Sequence, residues 1–291
     1  MTAAALHAEI GSARQGWRAL LWIALLTAAW IAVNFAFPVI AATGMPTVAA
    51  RLAIHVLIGL GLWLGLERTQ LSPAQRRNLW LAVMIPFTLW LSLIWGAAIN
   101  GAFLVGASPI PIPIPLTPLA IFIPVIIGAP ILLRSRRIGE VLDAMPATWL
   151  IALQVYRVLG SVFLIGWVRG VVPGIFGLPA GIGDVATGLL ALPVAVAAAA
   201  GTIEGRRAGI AWNIFGLLDF TVAVGIGLIT SPGPLQLIVP SVSNAQLGAY
   251  PSVLIPAFAV PSSILLHVLS LRQLYRRGRR GKMRTPAAAL A

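Results

Sequence analysis

Eight stretches of this 291-residue sequence are each about twenty residues long and nearly continuous in apolar side chains. They cover 17–40, 47–66, 79–105, 116–134, 148–169, 178–200, 208–230 and 250–271. A helix rising 1.5 Å per residue needs about 20 such residues to cross the hydrocarbon core of a bilayer, so each stretch is long enough to span one. Only 9% of the residues are charged and 59% are apolar, against about 25% charged in soluble domains. A water-soluble enzyme is thereby excluded. The fold class expected is all-α, a polytopic transmembrane bundle of about eight spanning helices, with one integral membrane domain over 1–291. Its obligatory partner is the lipid bilayer.

The formal charge of +13 sits in the short connections rather than on one face. It therefore reads as an orientation signal, not as a nucleic-acid surface. Arg14 and Arg18, Arg68, Arg76 and Arg77, Arg134, Arg136 and Arg137, Arg206 and Arg207, and the tail beyond Arg272 all fall on one side of an eight-span arrangement. The other side carries Arg51 and Arg169. Both termini are expected in the cytoplasm, with the chain in a bacterial-type inner membrane. The stretch at 17–40 is too long for a signal-peptide core and counts as a helix. The basic tail at 278–291 adds positive charge suited to anionic lipid.

Landmarks recur at an offset near 132: Trp17 with Trp149, Trp80 with Trp212, Gly44-Met45-Pro46 with Gly177-Leu178-Pro179, and Ile123-Pro124 with Ile255-Pro256. Two four-helix halves, 17–137 and 148–277, would give these matches. An even number of spans in each half would orient the two alike. Between Pro109 and Pro118 prolines alternate with Ile, Leu and Thr, a pattern expected to form an extended strap. The uncharged connection 231–249 suits a loop packed over the bundle.

Ionisable residues inside spans cost roughly 2.5–3.5 kcal/mol each, so they need a partner or a purpose. Arg157, with Gln154 on the same helical face, lies near mid-span, as does Asp219; similar depths predict that Arg157 and Asp219 pair. Arg51 and Asp184 each follow equivalent prolines, Pro46 and Pro179, and form a second expected pair. Asn213 and Asn100 can complete the hydrogen bonding, and His55 joins the cluster near Arg51. Pro173, Pro179, Gly181 and Gly183 are expected to shorten or break the helix just before Asp184. Gly160, Gly188, Gly216, Gly225 and Gly227 permit close helix approach.

No cofactor and no metal site is expected. The chain has no cysteine. His55 and His267 differ in depth by roughly 13 Å, too much for two axial haem ligands, and His267 is expected near the cytoplasmic interface. The one lysine, Lys282, lies in the tail and cannot hold retinal. Gly181-Ile182-Gly183-Asp184 resembles the Gly-x-Gly-Asp motif of intramembrane aspartyl proteases. That resemblance implies a pair of membrane aspartates sharing a proton to activate water. In those families the other aspartate precedes the motif, whereas Asp219 follows it, and depth places the two about 9 Å apart. The functional expectation is a small-solute or proton-linked transporter. Its polar cluster of Arg157, Asp184, Asp219, Arg51, His55, Gln154 and Asn213 would bind a small polar or anionic solute. A non-catalytic scaffold or partner subunit, held in register by buried charges, is one alternative, and the intramembrane aspartyl protease implied by the resemblance is the other.

Overall fold

The computed structural model describes residues 16–18, 20–32, 44–104 and 116–288, the last ten by their backbone. Among the described residues seven helices are long and apolar enough to cross a membrane. A shorter apolar helix, α1 (Gly16–Ala32), occupies the start of the first predicted stretch; the rest of that stretch and most of the proline strap lie outside the described residues. Leu116, Thr117 and Pro118 open a helix, because proline is tolerated in a first turn where no intrahelical N–H is needed.

Local signals set the ends. The α2 helix (Met45–Glu67) starts after Gly44 at φ 71°, with proline in its first turn. In α3 (Pro73–Ile99), Ser72 Oγ accepts from the Gln75 N–H at 3.3 Å while Gln75 Oε1 accepts from the Ser72 N–H at 3.1 Å, a reciprocal capping box. After α4 (Leu116–Arg134), Ser135 caps the short helix α5 (Arg136–Ala144), whose buried face is Ile138, Gly139, Val141 and Leu142. The fifth predicted stretch is α6 (Ala147–Val168). The last three spans are α7 (Gly174–Ala199), α8 (Ile203–Thr230), and α9 (Val260–Ala288), preceded by a π-turn at Ile255–Ala259.

The expected break before Asp184 is not there: α7 is continuous through Pro179 and Gly183. Pro173 serves as its N-cap, and Pro179 forfeits one backbone bond close to the helix start. The irregular backbone lies in α6 and ahead of α9. Gln154–Gly160 winds as a 3₁₀-helix between α-helical segments Ala147–Leu153 and Ser161–Val168. In a 3₁₀-helix side chains three apart eclipse, so Gln154 and Arg157 share one face, and both are buried.

Small residues draw the centre together. The buried stripe of α7 includes Gly177, Ala180, Gly181, Gly183, Gly188 and Ala191, at helical spacing. A Cβ on Gly188 would sit 2.6 Å from the backbone nitrogen of Val158, so the 3₁₀ segment lies directly against α7. Basic residues gather at one end of the bundle. Arg68 stacks over Trp149 at 4.3 Å, and Arg272 donates to Leu132 O and Ser135 O at the end of α4. Arg276 bonds Asp143 beside α5, and a Cβ on Gly278 would overlap Arg206 at the start of α8. Connection 231–249 closes the opposite end as irregular chain and one 3₁₀ turn.

Candidate functional site

Arg157 projects from the 3₁₀ segment into the space between α7, α8 and α9, where its side chain is 1% exposed. A guanidinium there needs acceptors in the plane of its fork, and three helices supply them. Nε donates to Asp184 Oδ1 on α7 at 2.7 Å, and Nη2 donates to Asp219 Oδ2 on α8. Nη1 donates to Gly216 O at 3.3 Å and meets His267 Nε2 of α9 at 3.1 Å. The Phe220 ring covers one guanidinium face, 3.8 Å from Cζ.

The same network assigns the histidine. Arginine can only donate, so His267 Nε2 accepts and the ring proton sits on Nδ1, which donates to Asn213 Oδ1 at 2.9 Å. Asn213 Nδ2 then donates to Gly209 O at 2.7 Å and Ser270 Oγ at 3.0 Å. His267 and Asn213 are wholly buried. Each link fixes the next, so the guanidinium is held from behind as well as in front.

Missing side chains make room for this centre. A Cβ on Gly183 would lie 1.6 Å from Asp219 Oδ1, one on Gly160 would lie 2.3 Å from Asp184 Oδ2, and one on Gly216 would lie 2.5 Å from His267. Three glycines on three helices thus form the walls against which two carboxylates and an imidazole pack.

A cavity of about 360 Å³ opens beside the centre, on the side of connection 231–249. Leu116, Phe163, Phe176, Ala223 and Leu247 form much of its wall, and Asp184 is the one ionisable residue among its described lining. The Asp184 side chain is 16% exposed against 6% for Asp219, so it is the acidic member that reaches the open space. A second void, of about 30 Å³, lies between Arg51, Arg157, Asp184 and Tyr156, with Ile255 and Ala259 of the π-turn on its wall.

The structure brings together Arg157, Asp219, Asp184 and Asn213 from the predicted set, and it corrects the pairing. Arg157 holds both aspartates, whereas Arg51 makes no ion pair with Asp184: its Nε donates to Thr47 O at 3.4 Å. Arg51 reaches the small void beside Asp184 instead. Gln154 is buried, but its Nε2 donates to Ser263 O at 3.0 Å rather than supporting Arg157. His55 stands apart, bonded to Thr88 and stacked on Phe87. The predicted vertical gap between the aspartates is also overturned. Because α7 begins at Gly174, four residues before the predicted stretch, Asp184 sits deeper and level with Asp219.

His267 is the residue sequence reasoning misplaced. Its helix runs well past the predicted end at 271, which moves the ring to mid-span. The signal was present as a polar stripe, Ser263, His267, Ser270 and Gln273, spaced to share one helical face. The Gly-x-Gly-Asp resemblance implies a proteolytic dyad. Asp184 and Asp219 each accept from a different nitrogen of one guanidinium, where a dyad shares a proton.

No curated protein and no solved structure matches the chain. One family does, over residues 114–275, a stretch that contains Arg157, Asp184, Asn213, Asp219 and His267 and leaves out Arg51 and His55. With more than half of its length matched, the chain belongs to the DUF8737 family, a domain of unknown function.

Proposed function

We propose that this membrane protein is a transporter of a small solute, taken into the cavity beside Asp184. The observation that carries the reading is the continuity between a buried ion cluster and an open cavity, joined through Asp184. A cavity of about 360 Å³ falls within the range of small-molecule sites. A cluster serving only helix register would gain nothing from one. The irregular turns support the same reading. The 3₁₀ segment of α6 and the π-turn before α9 flank the cluster, and unwound backbone at membrane depth is tolerated where it faces protein or a cavity.

Four of the five N–H groups of Arg157 are already engaged, so the solute meets Asp184 and not the guanidinium. Below Arg157, the polar column of His267, Asn213, Ser270 and Gln273 is buried and hydrogen-bonded, as a closed gate toward the basic end would be. We take the basic end as cytoplasmic and the cavity as opening outward.

The absence of native cysteine makes the test clean. Single replacements Ala223→Cys in the cavity and Ser270→Cys in the column are probed in vesicles with membrane-impermeant thiol reagents. Transport predicts that Ala223→Cys reacts from the cavity side, and that Ser270→Cys reacts from the opposite side in a fraction of molecules. A folded protein inert at both positions is a dry scaffold.

A further inference from the structure

The cavity's lining says what its occupant must offer. Resting on the solute-binding reading above, we infer that the cavity takes an uncharged, mainly apolar molecule whose hydrogen-bond-donating head, such as a hydroxyl, bonds the carboxylate of Asp184, the one ionisable residue of the described lining. Asp184 Oδ1 accepts from Arg157, while Oδ2 has no hydrogen-bond partner among the described residues. An ionised carboxylate can only accept, so the occupant must bring the donor.

Charge balance removes the ionic alternatives. Arg157 with its two aspartates, and Arg51 at the small void beside Asp184, bring two arginines against two aspartates, and His267 is neutral because its Nε2 accepts from Arg157. A charged ligand would add an uncompensated ion to a site already balanced within protein of low dielectric. The rest of the wall is mostly aromatic and aliphatic, which suits an apolar body.

The test uses four eight-carbon probes that differ in their head group: 1-octanol, octyl methyl ether, octylammonium and octanoate. Each is added at equal concentration to the Ala223→Cys protein in nanodiscs, and the rate of thiol labelling is read against a lipid-facing control, Leu89→Cys. The expected result is that octanol slows labelling at Ala223→Cys about tenfold more than the ether or either ion, as a donor to an otherwise unpaired acceptor requires. Adding Asp184→Leu should abolish that preference; if that variant does not fold, the ranking in the parent still decides. Equal protection by all probes, no protection, or a lead for an ion or the ether overturns the inference while leaving solute binding standing. Failure of Ala223→Cys to label at all removes the solute-binding reading, and this inference with it.

Discussion

Arginine is used in two ways in this protein, and the contrast shows what burial does to one side chain. In the centre Arg157, 1% exposed, is held by two carboxylates, a histidine, a carbonyl and an aromatic face. At the basic end Arg276, 35% exposed, pairs with Asp143. Its neighbours Arg272 and Arg277 donate to backbone carbonyls of Leu132, Ser135 and Met145. The outer group clamps α5 and the ends of α4 and α6 onto α9, where water can solvate whatever protein leaves unpaired. No such alternative exists around Arg157, so every charge there needs a counter-charge. Residues expected to act only as orientation signals thus have a structural task, while the buried ion is the one tied to a cavity.

The largest effect should come from Arg157→Ala. It leaves two carboxylates buried with no cation between them and should lower stability by about 3–5 kcal/mol or prevent folding, read by thermal melting in nanodiscs. Arg157→Lys should recover little, because an ammonium cannot reproduce the fork. If either variant melts like the parent, the distinction between the two arginine groups fails. Next in size is Gly183→Ala, whose Cβ would overlap Asp219; the expected loss is about 1–3 kcal/mol. Gly225→Ala on the neighbouring helix meets nothing within 4 Å and should be neutral or slightly stabilising. Asn213→Ala, which strips His267 Nδ1 of its acceptor, should cost about 1–3 kcal/mol. Smallest is Arg276→Ala, expected at roughly 0.2–1 kcal/mol and shrinking as salt is raised, whereas the Arg157 effect should barely respond to salt.

The spanning helices were legible because hydrocarbon imposes a length and an apolarity that any reader of the sequence can measure. The Arg157–Asp219 pair was legible for a related reason: two opposite charges near mid-span have few other ways to be neutralised. The Arg51–Asp184 pair was read wrongly because depth carries no information about rotation around the bundle. Asp184 faces the 3₁₀ segment, and Arg157 takes it. His267 was misplaced by a boundary. The apolar pattern weakens at Arg272, although the helix continues because Arg272, Arg276 and Arg277 find partners in the α4, α5 and α6 connections. Proline and glycine before Asp184 suggested a break, yet neighbouring helices tolerate them and the unwinding occurs elsewhere.

What the amino-acid order determined by itself is the medium and the repertoire: helices long enough to cross a bilayer, basic ends, and a handful of intramembrane charges that had to meet. Which charges meet, which carboxylate faces a cavity, and which glycines make room were decided by tertiary packing. Those outcomes depend on the rotation, start and winding of each helix, set by contacts among residues far apart in the chain, and a shift of one turn would exchange their partners.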